Sequence, residues 1–313
     1  MTGSTITTWG VALPDRVLTN GELERRLDTT DAWIMERTGI RERHVGGTTV
    51  GLAVEAGRRA LERGDVDVSS IDLLVVSTNT PDQAVPVVSA VVQHQLGLRC
   101  GVLDISSGCS GFVYGLVVAE GLLASGFDRV LLVASDTVSR IVDPADRSTV
   151  VLFGDAAAAI VLEASPGPRA VLGFDLGADG SCADILYREH GQYLVMNGRE
   201  VFRRAVRASI ASAEAALGNA KVGADQIALF VPHQGNLRII EAVAKRLGFS
   251  EDRTMSVVER TGNTSSASIP YALAEAADTG RLQVGDLVLL AGFGAGMTWA
   301  SAVVRWGREL VAP

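Results

Sequence analysis

Short apolar runs alternate with amphipathic stretches along the whole chain. The runs are IDLLVVST, GVLDIS, RVLLVAS and AAIVLE in the first half, and IALFVP, LVLLAGF and WASAVVRW in the second. Runs of this length and composition are typical of buried β-strands, and the stretches between them have the spacing of helices. The pattern therefore predicts an α/β protein.

The second series of runs resembles the first at a nearly constant offset. Three groups of matching residues lie 156 to 158 positions apart: Ile71, Leu73 and Val75 with Ile227, Leu229 and Val231; Tyr114, Leu116 and Ala119 with Tyr271, Leu273 and Ala276; Asp128, Val130, Leu131 and Leu132 with Asp286, Val288, Leu289 and Leu290. An internal duplication explains such a small drift better than coincidence, although apolar strands match easily. Because the stretch ASPGPRA around Pro166 and Pro168 would end a strand, we predict halves at residues 1–165 and 166–313.

Composition and charge exclude several classes of protein. The chain is 47% apolar and 5% aromatic, which suits buried strands covered by closely packed helices. A net charge of −8 with a pI near 5.1 disfavours a nucleic-acid-binding protein. Three widely spaced cysteines, without a CxxC motif, indicate neither a disulfide framework nor a zinc site. With no signal peptide and no run of about 18 apolar residues, we expect a cytoplasmic protein with no membrane association.

Residues that could take part in catalysis follow the predicted strands. Cys109 lies in a glycine-flanked turn between a strand and a helix, where unpaired N–H groups and the helix dipole would favour its thiolate. His233 follows IALFVP, Asn263 precedes a helix pattern, and Ala295 lies in the glycine-rich FGAG after LVLLA. Because sites in α/β proteins lie beyond the carboxyl ends of strands, these residues are candidates for one site. The alternative for Cys109 is a buried structural cysteine.

His233 and Asn263 can form a pair of neutral hydrogen-bond donors. Pro232 precedes His233 and a helix follows it, so the ring should be held, partly desolvated and neutral. Neutral donors suit a negative charge that develops only during reaction. Backbone N–H groups of the Cys109 turn and of FGAG could serve a second oxyanion. For Asn263, ordinary turn geometry is the alternative interpretation.

Several long motifs in a fixed order resemble the β-ketoacyl-acyl carrier protein synthase III family of thiolase-fold condensing enzymes. They are DTTDAWIMERTGIRERH (28–44), GCSGF (108–112), DPADRSTVVLFGDAAAA (143–159), VPHQGNLRII (231–240), GNTSSASIP (262–270) and FGAGMTW (293–299). The resemblance extends from Thr8 to Trp306 and implies a duplicated, five-layered αβαβα fold. That fold agrees with the offset between the two halves.

The resemblance implies a mechanism and its residues. Cys109 would take an acyl group from acyl-CoA, and His233 and Asn263 would bind malonyl-acyl carrier protein, whose decarboxylation gives the carbanion that attacks the acyl-cysteine. Backbone N–H groups of Cys109 and Ala295 would bind the oxyanion, and no metal or redox cofactor is needed. The positions implied for CoA and phosphopantetheine are Thr29, Trp33, Arg37, Arg147, Gly198, Phe202 and Asn236. Among them, Trp33 and Arg37 would sandwich the adenine, and Arg147 would meet phosphate.

The resemblance also implies partners. Arg203, Arg238, Lys245 and Arg246 match positions that dock the acidic acyl carrier protein; a solvated helix face is the alternative interpretation. Val85 occupies the far end of the acyl pocket, where many straight-chain priming enzymes have Phe, so the pocket should accept a branched, longer or aromatic group. Because that residue reaches the partner subunit's pocket in the family, a homodimer is implied.

Two other functions stay open at this point. Some relatives transfer an acyl group to a hydroxyl, an amine or a second carrier without condensation, commonly in natural-product pathways. Asn263 favours condensation, because an acyltransferase that deprotonates its acceptor would benefit from Asp at this position. A catalytically silent acyl-binding scaffold is disfavoured by the intact Cys109, His233 and Asn263. The sequence leaves the acyl starter and the pathway undetermined.

Overall fold

The computed structural model describes residues 3–307, which fold into alternating strands and helices. In chain order these are β1 (Gly3–Ala12), β2 (Val17–Thr19), α1 (Asn20–Glu24), α2 (Asp31–Thr38), β3 (Glu42–His44), α3 (Thr49–Arg63), β4 (Leu73–Ser77), α4 (Val88–Gln95), β5 (Gly101–Ile105), α5 (Gly111–Ala124), β6 (Arg129–Thr137), β7 (Asp155–Ser165), β8 (Val171–Ala178), β9 (Leu186–Tyr187), β10 (Val195–Met196), α6 (Gly198–Ala220), β11 (Leu229–Pro232), α7 (Leu237–Leu247), α8 (Val258–Thr261), α9 (Ser268–Asp278), β12 (Leu287–Gly294) and β13 (Thr298–Arg305).

All seven apolar runs form strands, as predicted: β4, β5, β6 and β7 in the first half, and β11, β12 and β13 in the second. The sequence pattern missed β1 and β8. Both are antiparallel strands at the edge of a sheet, β1 beside β7 and β8 beside β13. None of the helices within residues 3–307 is long and apolar enough to cross a bilayer.

Two sheets with the same strand order form the framework of the molecule. The first has the order β1-β7-β6-β4-β5 and the second β8-β13-β12-β11. Each sheet begins with an antiparallel pair at one edge, and the next two strands are parallel to each other. These are β6 and β4 in the first sheet and β12 and β11 in the second. A single bridge joins Phe230 of β11 to Thr254. It takes the place that β5 has beside β4 in the first sheet. The structure thus repeats one αβ unit, as the offset in the sequence predicted.

The sheets and helices stack in five layers. Because side chains of a strand alternate between two faces, Val130 and Leu132 of β6 face the middle of the molecule, whereas Leu131 and Val133 face α3 and α4 on the outside. In the second sheet β12 alternates in the same way, with α6 and α7 on its outer side. Helices α5 and α9 lie between the two sheets and share one core with both. The predicted αβαβα fold is confirmed.

Helix α5 shows why this layer is central. Its buried side chains point in several directions around the axis and include Phe112, Val113, Leu116 and Leu123. A helix that is apolar all round must be covered on every side, and here the two sheets cover it. The turn before α5 therefore lies deep in the molecule, close to both halves.

Candidate active site

Cys109 lies in the turn between β5 and α5, against the end of β12. Gly108 has φ +58°, which favours glycine, and a Cβ there would lie 2.8 Å from the backbone N of Ala295. A Cβ on Gly294 would overlap the backbone N of Cys109. Glycine at these two positions lets the backbones approach closely, so the amides of Cys109 and Ala295 are neighbours.

The Cys109 thiol is held in its protonated form. Burial raises its pKa to about 12; the hydrogen bond from Sγ to Ser265 Oγ, at 3.4 Å, opposes that rise, and the nearby Asp136 carboxyl group adds to it. The predicted preference for thiolate is therefore wrong, because desolvation outweighs the start of α5. An inert structural cysteine is also a poor description, since Cys109 is only half-buried and lines two cavities.

His233 is neutral, as predicted, and the cause is burial. The ring is 2% exposed, it meets Phe293 edge-on at 5.0 Å between ring centres, and burial lowers its pKa to about 3. Its Nδ1 lies 2.6 Å from Ser268 Oγ, and that oxygen also accepts the N–H of Gln234. In the tautomer that carries its hydrogen on Nε2, Nδ1 accepts the Ser268 hydroxyl and Nε2 is the donor.

Asn263 is oriented by its own turn. Its Oδ1 accepts the N–H of Ser265 at 2.9 Å, so Nδ2 points the other way. Its backbone bonds the first half of the chain: its N–H donates to Leu152 at 2.8 Å, and its carbonyl accepts from Gly154 at 3.0 Å. Asn263 is 8% exposed. The backbone of Asn263 is thus bonded to the first half of the chain, while its side chain makes the bond of an ordinary Asx turn.

The side-chain nitrogens of His233 and Asn263 both lie beside Gly235. A Cβ built on Gly235 would lie 2.8 Å from His233 Nε2 and 3.6 Å from Asn263 Nδ2. A methyl group at this position would crowd the imidazole, whose Cδ2 would lie 3.0 Å away, so glycine keeps the space beside both nitrogens open. The sequence reasoning missed Gly235, since nothing in VPHQGNLRII shows that the chain folds back over the ring.

The turn between α8 and α9, residues 262–268, contacts all three chemical groups. Asn263 belongs to it, Ser265 accepts from Cys109, and Ser268 contacts His233. Ser265 has φ +53°, an uncommon conformation for a residue other than glycine. The sequence reasoning quoted GNTSSASIP for its Asn and assigned no role to its serines.

A cavity of about 510 Å³ brings the three groups together with most of the residues expected to bind CoA. Cys109, His233 and Asn263 line it, together with Trp33, Arg37, Gly198, Phe202 and Asn236. Asn236 also begins α7: its Oδ1 accepts from the N–H of Arg238, and its Nδ2 donates to the carbonyl of Arg37. The cavity leads from the outer surface near α2 and α6 to the cysteine.

Two of the expected CoA residues lie outside this wall. The Arg147 guanidinium lies 5.2 Å from the Trp33 ring centre and donates a hydrogen bond to the carbonyl oxygen of Asp28. The Thr29 hydroxyl is buried and has no hydrogen-bond partner within residues 3–307. Arg37 stacks on Trp33 at 4.7 Å. An adenine between Trp33 and Arg37 would require the guanidinium to move aside, so this sandwich stays a prediction.

Of the basic residues expected to dock a carrier, one lies at the cavity and the others lie on helices α6 and α7. Arg238 is on the cavity wall and its guanidinium lies 5.8 Å from the Phe202 ring centre. Arg203 is paired with Glu200 at 2.8 Å, whereas Lys245 and Arg246 are exposed in the last turn of α7 and form no ion pair within the described part of the chain. Lys245 and Arg246 are thus better placed than Arg203 to meet an acidic partner.

A second cavity, of about 890 Å³, opens on the other side of Cys109. Its apolar wall includes Phe153 and Leu186, and it is also lined by the loop after β4. Val85 lies just beyond that loop, 83% exposed, and does not line the cavity of its own chain. A role for Val85 at an acyl pocket therefore requires a second copy of the chain.

Within residues 3–307, no three His, Cys, Asp or Glu side chains cluster closely enough to hold a metal ion. The chemistry of the site is instead that of a thiol, two neutral N–H donors and converging backbone amides. Such groups can form a thioester and stabilise negative charge on two carbonyl oxygens. A duplicated αβαβα fold with this site at its centre defines a thiolase-fold condensing enzyme.

Comparisons with known proteins give the family. Residues 103–180 match 3-oxoacyl-[acyl-carrier-protein] synthase III, and residues 217–306 match its C-terminal region. The β-ketoacyl-[acyl-carrier-protein] synthase III of Roseiflexus castenholzii is 48% identical, over 96% of this chain and 97% of that protein. The chain belongs to the 3-oxoacyl-[acyl-carrier-protein] synthase III family, as its motifs predicted, and is an acyl-transferring enzyme.

Solved structures agree with this assignment. The synthase III of Thermus thermophilus is 43% identical and superposes with a TM-score of 0.95, over 97% of this chain and all of that one. The priming β-ketosynthase of the R1128 polyketide pathway is 36% identical, with a TM-score of 0.93 over 97% of this chain and 96% of that one. Enzymes named as synthase III and an enzyme named for a polyketide pathway are thus both similar to this chain.

Proposed function

We propose that this enzyme transfers an acyl group from acyl-CoA to Cys109 and condenses it with malonyl-acyl carrier protein, releasing CO₂. One observation carries the proposal: His233 and Asn263 both lie beside Gly235, in the same cavity that exposes Cys109. Two neighbouring neutral donors suit a thioester carbonyl that becomes an enolate.

In the first half-reaction, Cys109 Sγ attacks the thioester carbon of acyl-CoA. The oxyanion that forms accepts hydrogen bonds from the backbone N–H groups of Cys109 and Ala295, which the close approach of Gly108 and Gly294 brings together. The carbon–sulfur bond to CoA then breaks. Because the cysteine is a thiol at rest, its proton must leave during this step, and it ends on the CoA thiol.

In the second half-reaction, the malonyl thioester carbonyl accepts hydrogen bonds from His233 and Asn263. The bond to the malonyl carboxylate breaks, CO₂ leaves, and the electron pair forms an enolate that these donors stabilise. The enolate carbon attacks the acyl-cysteine carbonyl and a carbon–carbon bond forms. When the tetrahedral intermediate collapses, Cys109 leaves as a thiolate and recovers a proton from solvent. This chemistry needs no metal and no redox cofactor.

CoA and the carrier phosphopantetheine reach Cys109 through the smaller cavity in this proposal. Trp33 and Arg37 at its outer end provide an aromatic face and a cation, and Arg147 lies beside them for a phosphate. The acidic carrier would dock on Arg238, Lys245 and Arg246. These side chains carry local positive charge on a chain whose net charge is −8, and would attract an acidic partner.

We also propose a homodimer built on β5. This strand pairs with β4 on one side and, within residues 3–307, has no strand on the other, and Leu103, Val85 and Val87 near this edge are exposed. An unpaired strand with exposed apolar residues is normally covered. A second copy would cover it and bring Val85 to its neighbour's larger cavity, where it would limit the acyl group. The halves 1–165 and 166–313 remain our proposed division of each subunit.

Intact-protein mass spectrometry tests the proposed reaction. The protein is incubated with a panel of acyl-CoAs, and malonyl-acyl carrier protein is then added while CO₂ and the carrier product are measured. We expect an acyl mass on the protein that discharges to a β-ketoacyl carrier with release of CO₂. Acyl loading that malonyl carrier fails to discharge would favour transfer to a hydroxyl or an amine instead.

Two variants assign the residues. Cys109→Ala should abolish the acyl mass, and an undiminished mass increase would contradict the role of the nucleophile. Asn263→Ala should slow malonyl decarboxylation more than acylation of Cys109. An equal loss of both half-reactions would contradict the division of roles.

A further inference from the structure

The larger cavity has a polar strip beside Cys109 that condensation itself does not use. It consists of Ser265, Asn79 and Ser106, and all three line the cavity together with the cysteine. Cys109 Sγ lies 3.4 Å from Ser265 Oγ, which lies 3.3 Å from Asn79 Nδ2. An acyl group that extends from the sulfur into this cavity would pass along the strip.

The orientation of the Asn79 amide is determined by its neighbours. Its Nδ2 faces three acceptors: the carbonyl of Gly108 at 3.1 Å, Asp136 Oδ2 at 3.3 Å and Ser265 Oγ. Asp136 is fully buried, and its carboxyl group also accepts the N–H groups of Asn79 and Ser266. A flipped amide would place its oxygen against these acceptors, so the assignment is fixed.

The amide oxygen of Asn79 is left with little to bond. Within the described residues its one donor is Ser106 Oγ at 3.4 Å, which is long for a bond between a hydroxyl and an oxygen. Asn79 is half-buried and Ser106 is exposed. The strip thus offers the Asn79 amide oxygen, which can accept a further hydrogen bond, and the Ser106 hydroxyl, which can donate or accept one.

Two acidic side chains of the wall are already engaged. Asp82 pairs with Arg140 and accepts the N–H groups of Thr49 and Val50, and Asp104 accepts the two N–H groups at the start of α4. The apolar part of the wall includes Ile141, Phe153 and Leu186. Gln83, Glu189 and His190 also line the cavity. Beside the thiol itself, Asn79 and Ser106 supply the spare hydrogen-bonding capacity.

We propose that the acyl group this enzyme loads bears a hydroxyl group, and that Asn79 and Ser106 select it by hydrogen bonding. The inference rests on the proposed function, because it places the acyl chain on Cys109. Asn79 Oδ1 would accept the substrate's O–H, and Ser106 would donate to its oxygen. Asn79 is two hydrogen bonds away from the sulfur, which suits a hydroxyl on the third carbon of the acyl group.

The test compares acylation of Cys109 by butyryl-CoA with acylation by each enantiomer of 3-hydroxybutyryl-CoA. Second-order rate constants are measured from CoA release and from the mass of the protein. We expect one enantiomer to react about tenfold faster than butyryl-CoA, since this corresponds to a pair of ordinary hydrogen bonds. A ratio near one, with both substrates acylating Cys109, would overturn this inference and leave the proposed function standing.

Three variants assign the selectivity. Asn79→Leu and Ser106→Ala should each bring the ratio of the two rate constants towards one, whereas Ser125→Ala, which removes an exposed hydroxyl at the far end of α5, should leave the ratio unchanged. If Asn79→Leu does not fold, Ser106→Ala decides alone, because Ser106 is exposed and does not contact Asp136. An unchanged ratio in Ser106→Ala and in any folded Asn79→Leu would overturn the assignment. Failure of every acyl-CoA to load would overturn the proposed function and this inference with it.

Discussion

The substitution Gly235→Ala adds one methyl group and should slow malonyl decarboxylation far more than acylation of Cys109. In Gly235→Ala the new Cβ would lie 2.8 Å from His233 Nε2 and 3.6 Å from Asn263 Nδ2. A carbonyl oxygen bonded to both nitrogens must lie about 2.7 to 3.1 Å from each donor, in the space that this methyl group would crowd. The methyl group therefore excludes the malonyl carbonyl and removes none of the catalytic side chains.

The size of the effect follows from this geometry. Loss of one preorganised donor typically slows a reaction by about 10² to 10³, and the methyl group obstructs two, so we expect malonyl decarboxylation to fall by at least about 10². Acylation of Cys109 uses a different pair of donors, the backbone amides, and should change by less than about tenfold. Gly235 has no left-handed φ, so Ala is tolerated by the backbone. Crowding against the ring should cost about 1 to 3 kcal/mol of stability.

The assay measures the two half-reactions separately. Acylation by acyl-CoA is quenched and followed by mass spectrometry. Decarboxylation of malonyl-acyl carrier protein is followed by the release of CO₂. Thermal unfolding checks that the variant is folded. Gly121→Ala is the matched control, because a Cβ on this exposed glycine of α5 meets nothing within 4 Å. Decarboxylation at the wild-type rate in Gly235→Ala would refute the convergence of the two donors on the malonyl carbonyl. An equal loss of acylation would refute the separation of the two oxyanion sites.

Three further predictions concern the thiol, the imidazole and the nucleotide. Because burial raises the pKa of Cys109 to about 12, its alkylation by iodoacetamide should accelerate steadily from pH 7 to pH 10, and a plateau below pH 9 would contradict the protonated thiol. Burial lowers the pKa of His233 to about 3, so between about pH 6.5 and pH 3 the unfolded chain binds a proton that the folded chain does not, and stability should fall as the pH drops through this range. Urea unfolding at pH 7 and pH 4.5 should show a smaller loss in His233→Asn than in wild type; an equal loss would refute this assignment. Trp33→Ala should raise KM for acyl-CoA about three- to tenfold but leave acylation by the N-acetylcysteamine thioester, which lacks the nucleotide, nearly unchanged; an equal effect on both would point to a structural role.

Much of the fold could be predicted because its strands are buried and continuous. The centres of the runs IDLLVVST and IALFVP, LLVV at residues 73–76 and LFV at residues 229–231, are apolar throughout, since both faces of β4 and β11 are covered. β1 and β8 were missed for the opposite reason. β1 begins GSTITTWG, where threonine and glycine interrupt the apolar residues, and β8 includes exposed and half-buried positions. Strands of this kind are defined by their neighbours in the sheet and have no strong local pattern.

The site could be predicted only as far as its residue types. Cys109, His233 and Asn263 were found because they follow or precede predicted elements, and the motifs gave most of the cavity wall. Their protonation could not be found in this way. The α5 N-terminus favours a thiolate by local reasoning, whereas the actual state depends on desolvation by residues far apart in the sequence.

The partners of the catalytic side chains are equally non-local. Ser265 is 156 residues from Cys109, and Ser268 is 35 residues from His233. No local periodicity links such pairs, and only the packing of α9 between the sheets brings them together. The close approach of Gly235 to His233 depends likewise on the path of the chain after β11.

The central helical layer has a consequence for how the protein is made. Helix α5 is complete once residue 124 has been synthesised, yet the second sheet that covers one of its sides includes β12 and β13, at residues 287–305. Until then the apolar side chains of Phe112 and Leu116 lack half of their covering. We expect the nascent first half to expose an apolar surface on the ribosome for most of translation, and so to depend on chaperones that bind such surfaces until the last strands emerge.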